Sequence, residues 1–303
     1  MRIDIDSFQL LQVLVEEGSF AKAAERLHKA QSAISYQIKK LEQHLGVSLF
    51  SREGYRAELT AEGKVIMAEG QKLLQHMANI EHLAQRFSQG WEPKLELVID
   101  GALPMEPILS ALKRMAELNL PTKIQLKVEF LTGVQYRFEQ DKADIMLVKD
   151  YLAGPSYHQQ ALPEITCMLV AAPSHPLAQM QQIRLDQMQQ YVELTIQDSA
   201  PEPSYQDEMQ FHGEKVFYLS GFSMKKSALL MGLGYGWMPD FVIPNEIAAG
   251  TLQKIDFIGG NLSRFIPQLV SNLERPLGKA GQLFTEIIMD EFEKMQHLSA
   301  ELG

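Results

Sequence analysis

One cysteine occurs among 303 residues, so the chain has no internal disulfide, no CxxC redox pair and no cysteine-rich zinc site. That residue, Cys167, sits in the apolar run Ile165 to Ala172, where a small buried hydrophobe is expected rather than a reactive thiol. Redox sensing would need a resolving cysteine that the chain lacks. Also missing is any apolar stretch near the roughly 20 residues of a membrane-spanning helix. The opening MRIDIDSF alternates acids where a secretory signal would start basic and continue apolar, so a cytoplasmic protein with no membrane partner is expected. Positive charge is scarce: Lys and Arg number 28 against 38 Asp and Glu, a formal charge of -10, which argues against nonspecific affinity for nucleic acid. No Ser-His-Asp set stands in a nucleophile-elbow context, there is no HExxH, and the eight histidines form no metal-ligand cluster. Neither an enzyme nor a bound metal or cofactor is expected. The segment Met231-Gly232-Leu233-Gly234-Tyr235-Gly236 superficially echoes a dinucleotide loop, but it lacks the strand-to-helix context and the downstream acid. Its glycines read instead as a helix end turning toward Trp237-Met238-Pro239.

What is present describes a globular chain. Apolar residues make up 46% and charged residues 22%, enough for a sizeable core, and the length fits one large or two medium domains. The charge is unevenly spread. Residues 1–92 hold 11 basic and 12 acidic side chains, whereas residues 93–303 hold 17 and 26. Within the first part, Lys22, Arg26, Lys29, Lys39 and Lys40 face only Glu25, a local excess of +4.

The opening 60 residues read as short helices with tight connections. Phe8, Leu11, Leu14 and Val15 recur at helical spacing after a candidate N-cap, Asp6, and Gly18 ends that helix. Ser19 is placed to cap a second helix, Phe20 to Leu27, whose Ala23 and Ala24 permit a close crossing. After His28 to Ala30, a third helix runs from about Gln31 to Leu45. Ile34, Ile38, Leu41 and Leu45 fall on one of its faces; Ser32, Ser35, Tyr36, Lys39 and Gln43 fall on the other. Two short helices joined by a three-residue turn, the second polar on its open side, form a helix-turn-helix. Leu49 to Leu59, with a turn at Glu53-Gly54, reads as a small wing in which Arg52 and Arg56 reach flanking phosphates.

Thr60 is placed to cap a helix from about Ala61 to Ser88. Ile66, Leu73, Met77, Ile80, Ala84 and Phe87 make a heptad-like seam along it, for which a second copy of the chain is the natural cover; packing on the C-terminal part is the alternative. Gln89 to Pro93 breaks the pattern. Beyond it, strands at 95–99, 124–130 and 144–148 alternate with helices at 106–118 and 134–141, implying an open, largely parallel α/β sheet. Segments 165–172, 191–196 and 215–219 supply a second sheet, with helices at 223–231 and 281–298. Two α/β lobes fit a ligand cleft between them.

The block Gly18-Ser19-Phe20, Ala23-Ala24, Leu27, Gln31, Ala33, Ser35, Gln37-Ile38, Leu41-Glu42, Leu45-Gly46, Leu49-Phe50, Arg52, Leu59-Thr60 and Gly63 resembles the signature of LysR-type transcriptional regulators. One departure is Ser32, where that family often has proline, a residue that mainly fixes a helix start. The resemblance implies a winged helix-turn-helix domain at 1–60, a dimerising linker helix and hinge at 61–92, and an effector-binding domain at 93–303. That last domain should resemble periplasmic binding proteins, with one lobe at about 93–162 and 266–303 and the other at 163–265. It also implies promoter DNA as partner, a small-molecule effector, and assembly to dimers or tetramers.

Carried over by position, Gln31, Ser32, Ser35 and Tyr36 fall where the family touches base edges and backbone. The chemistry agrees: Gln pairs with an adenine edge, Ser reaches a base or phosphate, and Tyr offers a ring for a thymine methyl. Lys29, Lys39 and Arg52 suit phosphates. Tyr36 replaces the basic residue commoner at its position. By analogy the effector site draws on Asp100, Leu103, Pro104, Thr132, Lys149, Gln197, Ser199, Phe222 and Ser223. Asp100 facing the cleft would repel simple carboxylates and favour a hydroxyl, an amine or a protonated heterocycle; its duller role is to cap the following helix. The competing functional reading is a DNA-binding dimeric repressor or architectural protein with no effector. A ligand-induced melting shift separates the two.

Overall fold

The structure is a computed structural model and describes residues 4–51, 57–152, 154–202 and 209–302. The chain divides into two compact units, Met1–Gln89 and Gly90–Gly303.

In the first unit, α1 (Ile5–Glu17), α2 (Phe20–Arg26) and α3 (Gln31–Leu45) precede the long α4 (Ala61–Ser88). The cap of α1 is Asp4, whose carboxylate accepts the Ser7 N–H at 2.9 Å, and Asp6 lies in the first turn instead. Gly18 closes that helix in the left-handed region at φ 61°. Ser19 occupies the N-cap position of α2 with extended backbone, but its side chain makes no capping hydrogen bond. The connection to α3 bends through His28 at φ 53°, and Lys29 N–H returns to the Ala24 carbonyl. The core joins Leu10, Leu11 and Leu14 to Ala23, Ala24, Ile34, Ile38 and Leu41, with Leu49, Phe50 and Met67 completing it. Glu42 ties α3 to the strand-like segment beyond it, accepting the N–H groups of Leu49 and Phe50. Phe50 and Leu59 form an antiparallel bridge at the base of the expected wing, while Arg52 and Arg56 fall outside the described residues. Thr60 caps α4 by accepting the Gly63 N–H at 2.9 Å. Along α4, Leu73, Ile80, Leu83 and Phe87 are exposed, a row of large apolar side chains.

The second unit carries β1 (Lys94–Asp100), α5 (Met105–Glu117), β2 (Lys123–Glu129), α6 (Thr132–Gln140), β3 (Ile145–Val148) and β4 (Tyr157–Ala161). Next come β5 (Ile165–Ala171), α7 (Leu185–Met188), β6 (Glu193–Ile196), β7 (Val216–Leu219), α8 (Phe222–Leu230) and β8 (Tyr235–Pro239). The chain continues through α9 (Pro244–Ala248), β9 (Gln253–Lys254), β10 (Leu262–Phe265) and β11 (Gln268–Asn272) to α10 (Lys279–Leu302). One sheet has the order β2-β1-β3-β11-β4 and the other β10-β5-β8-β6-β7, with β9 also on β5. Both sheets are mixed rather than largely parallel. The βαβ units β1-α5-β2 and β1/β3 pair in parallel, but β11 runs antiparallel to β3 and β4. In the second sheet β5 runs antiparallel to β8 and β10, and β6 runs parallel to β7 and β8. The chain returns from the second sheet to the first as β11, and a returning strand that closes against its neighbours needs no crossover helix.

The glycine-rich segment read as a turn is the entry to β8, an internal strand. A Cβ on Gly236 would lie 2.3 Å from the Leu194 carbonyl oxygen, so glycine there lets β8 press against β6. Apolar layers cover both faces of each sheet. On the first, α5 and α10 bury Ile108, Met115, Phe284, Ile288 and Phe292 against Leu97, Ile99 and Leu147, and α6 covers Val98, Met146 and Val148 with Val134 and Phe138. The start of α10 is held by Glu92, whose carboxylate accepts the Ala280 and Gly281 N–H groups.

Candidate functional site

The open face of α3 is polar from end to end. Gln31, Ser32, Ser35, Tyr36 and Lys39 are exposed, Tyr36 by 68%, whereas Ile34, Ile38 and Leu41 are 3% exposed or less. Lys29 stands exposed just before the helix. A helix buried along one side and this polar along the other presents an edge of hydrogen-bonding and cationic groups of groove width. The surrounding cluster is less cationic than the sequence count implies, because Arg26 donates to both Glu16 and Glu17 of α1 at 2.9 and 3.0 Å. Its guanidinium braces α1 to α2.

In the second unit a cleft opens between the two sheets. The first sheet contributes Asp100 and Ala102 from the end of β1, Phe130 and Leu131 from beyond β2, and Lys149 from beyond β3. The second contributes Cys167 of β5, Glu193 to Ile196 of β6, Phe222 and Lys225 of α8, and Trp237 of β8, with Met209 alongside. This is the carboxyl-end crevice that parallel strands leave, since β1, β2 and β3 all end on it.

Asp100 faces this space and is 2% exposed. Its oxygens accept the Ala102 N–H at 2.9 Å and the Lys149 N–H at 3.2 Å, so it ties two loop starts together rather than capping α5, whose N-cap is Pro104. Burial pushes its carboxyl up to about 6, against the pull of those two N–H groups and of Lys149. Glu193, 3% exposed, accepts the Phe211 N–H through both oxygens at 3.1 Å. Lys149 pairs with Asp150 at 2.9 Å and lies over the Phe265 ring, and the buried Lys225 ammonium lies 5.9 Å from the Phe222 ring centre. Trp237 stacks on Phe211 with an interplanar angle of 5°.

Of the residues expected around an effector, Asp100, Lys149 and Phe222 line the cavity. Leu103 is instead part of the apolar core under α5, and Pro104 is buried at the start of that helix. Gln197 and Ser223 are exposed and do not line the cavity. Thr132 and Ser199 join the two lobes. The Asp198 carboxylate accepts the Thr132 hydroxyl at 2.6 Å and the Gly133 N–H at 3.1 Å, supplying from the second sheet the N-terminal cap that Leu131 cannot give α6. Ser199 Oγ accepts the Phe130 N–H at 2.9 Å and donates to the Phe130 carbonyl at 3.2 Å. A Cβ on Gly133 would sit 1.9 Å from that Oγ, so only glycine admits the approach. Sequence reading missed Glu193, Thr195, Lys225 and Trp237. Glu193, the one charged residue in Tyr191 to Ile196, was the one available signal.

Among the described residues no three His, Cys, Asp or Glu side chains converge as a metal site requires, and no helix is long and apolar enough to cross a membrane. Residues 5–64 match the family described as bacterial regulatory helix-turn-helix protein, lysR family, and residues 88–293 match the LysR substrate binding domain. The chain is 28% identical over 256 residues to a probable HTH-type transcriptional regulator, YhaJ, of Escherichia coli K12, covering 84% of this chain and 86% of that one. It is 25% identical over 288 residues to YeeY of the same organism, an uncharacterized HTH-type transcriptional regulator, covering 94% and 93%. Full-length LysG of Corynebacterium glutamicum, with bound effector Arg, superposes with a TM-score of 0.54 at 18% identity over 96% of this chain and 99% of that one. A mutant OxyR of the same organism gives 0.60 at 17% identity, over 100% and 97%. At such identities the structural likeness fixes the fold alone.

Proposed function

Because the chain belongs to the LysR family of bacterial regulatory helix-turn-helix proteins, DNA-binding transcriptional regulators that carry a substrate-binding domain, we propose how its parts divide that work. Residues 1–60 read DNA, residues 61–92 pair two chains through α4, and residues 93–303 hold a small-molecule effector without catalysing its conversion. The protein works in the cytoplasm, as a dimer or a tetramer. Gln31, Ser32, Ser35 and Tyr36 meet base edges and backbone in a major groove, while Lys29, Lys39 and Arg52 neutralise phosphates. The observation that carries this reading is the exposed polar stripe of α3 over a fully apolar inner face. The exposed row Leu73, Ile80, Leu83 and Phe87 supports pairing through α4.

The effector occupies the cavity bounded by Asp100, Lys149, Glu193, Lys225 and Trp237. Holding both lobes, it biases their closure and so the spacing of the paired DNA readers. That is a coupling between two sites, so effector and DNA each change the other's affinity by the same factor. The test is binding to a duplex selected from a random pool, followed across salt concentrations. Tyr36→Ala lowers affinity for the selected duplex by about 1–3 kcal/mol and relaxes preference at the contacted positions. Lys39→Ala weakens all sequences alike and reduces the salt slope by about 1. Unchanged binding by both variants at elevated salt refutes the α3 interface.

A further inference from the structure

The last turn of α3 carries an acid where a carboxylate is unfavourable. Glu42 lies within one turn of the helix end at Gly46, and a negative charge there opposes the helix dipole. What it holds outside the helix accounts for its place. The carboxylate accepts the Leu49 N–H at 2.6 Å and the Phe50 N–H at 3.3 Å. Its own backbone carbonyl accepts the Gly46 N–H at 2.8 Å, closing α3. One residue thus fixes both the end of α3 and the start of the segment that leads away from it.

Leu49 is gripped from its other side by the start of α4. Its carbonyl accepts the Thr60 N–H at 2.9 Å, and the Thr60 hydroxyl donates to the Ser48 carbonyl at 2.7 Å while accepting the Gly63 N–H. A Cβ on Gly63 would lie 2.2 Å from the Leu49 carbonyl oxygen, so the first turn of α4 touches this peptide directly. The Leu49 side chain is fully buried, which pins the same residue a third time. Further along α4, Met67 joins the common core, and a Cβ on Gly70 would meet the Phe8 ring of α1 at 2.4 Å. Through Leu49, α3 and the first turns of α4 form one body rather than two helices on a free connection.

Building on the readings that α3 enters a groove and α4 pairs two chains, we infer that Glu42 is a positioning residue for half-site spacing. By tying Leu49 to α3 it fixes the direction of α3 relative to α4, and so the separation and rotation at which a pair of chains presents its two reading helices. The side chain acts without touching DNA. Paired helix-turn-helix proteins read half-sites at a set separation along the duplex, and one added base pair moves the halves about 3.4 Å apart and turns them by about 35°. A body held at Leu49 from both sides resists that change. A loosened one follows it.

The test uses the full chain and a set of duplexes made from the selected one by adding or removing one base pair between its halves. Affinities are measured at one salt concentration, and the readout is the ratio of affinities across the set for each variant. Lost folding or weakened groove contact lowers every member alike and cancels in that ratio, so a merely structural role leaves it unchanged. The native protein is expected to prefer the selected spacing at least tenfold. Glu42→Ala is expected to reduce the preference below threefold while sedimenting as the native pair does. Glu42→Gln keeps one acceptor oxygen for the Leu49 N–H and is expected to retain at least fivefold. Gly63→Ala loosens the same peptide from the α4 side and is expected to lose the preference as Glu42→Ala does, which keeps the test decisive if one variant folds poorly. A native protein indifferent to spacing overturns the inference. So does a native-like ratio in both Glu42→Ala and Gly63→Ala, a Glu42→Gln variant no better than Glu42→Ala, or a Glu42→Ala variant that no longer pairs. The α3 reading is judged separately. Tyr36→Ala that weakens every spacing, beside Glu42→Ala with a native ratio, defeats this inference and leaves groove reading standing; Tyr36→Ala without effect on any duplex defeats groove reading itself.

Discussion

Removing one carboxylate should uncouple the two lobes. Asp198 of the second lobe accepts the Thr132 hydroxyl at 2.6 Å, the Thr132 and Gly133 N–H groups at 3.3 and 3.1 Å, and the Ala200 N–H at 2.9 Å. Three of these four bonds cross between lobes and close the first turn of α6. Asp198→Ala leaves them to water, and because the site is only partly buried the replacement is incomplete rather than absent. A lost N-cap costs about 0.5–2 kcal/mol and a hydrogen bond to a charged group about 1.5–3 kcal/mol before water substitutes. A net loss of about 2 kcal/mol for the closed arrangement is expected, roughly a 30-fold shift in the closed-to-open ratio. Amide hydrogen exchange reads this locally. The Thr132 and Gly133 amides, together with Phe130, which is held by Ser199, should exchange about 30-fold faster, while amides inside α10 stay as they were. Gly133→Ala attacks the same contact by volume, since its Cβ would overlap Ser199 Oγ. Because both variants break one contact, their combination should cost little more than either alone. Unchanged exchange at Thr132 and Gly133 in Asp198→Ala, or full additivity of the pair, refutes the clamp.

Two further outcomes come from burial and exposure. Asp100 titrates near 6 in the folded chain and near 3.8 unfolded, so between those values the native state holds a proton that the unfolded chain has released. Its contribution to stability therefore falls as pH rises through that window and levels off above it. From pH 4.5 to 7.5 the native protein should lose about 2 kcal/mol relative to Asp100→Asn; a melting difference between the two that is constant with pH refutes this. On α4, Ile80→Glu places a charge in the exposed apolar row and should shift the chain toward monomer in sedimentation equilibrium while the α3 unit keeps its melting behaviour. A dimer as tight as the native one would assign pairing to another surface.

The helix-turn-helix was legible because its information is local. Gly18, Thr60 and the spacing of Ile34, Ile38 and Leu41 each act within a turn or two of helix, so the bounds of α3 and α4 could be read directly from the chain. Local signals also misled where two candidates compete within one turn: Asp4 rather than Asp6 caps α1 because only the residue just outside the helix can accept the free N–H groups. Strand pairing is another matter. Tyr235–Pro239 comes after glycines that read as a turn, and what makes it a strand is the two neighbours, β5 and β6, that it meets across long separations.

The cleft shows where sequence stops. Asp100 was named in advance only by analogy with the family that the N-terminal block resembles, and the structure sets it in the cavity wall. Thr195, Lys225 and Trp237 carry no local mark that tells a cleft residue from a core or surface one, and Glu193 is marked only by its charge in an otherwise uncharged strand. Nor does Asp198 announce that it caps a helix 66 residues earlier in the chain. The alternation of apolar and polar residues along one element fixes which side is buried. Which distant element lies against that side is decided by the register and return of strands, and so the chemistry of the cavity exists only once the two lobes have closed on each other.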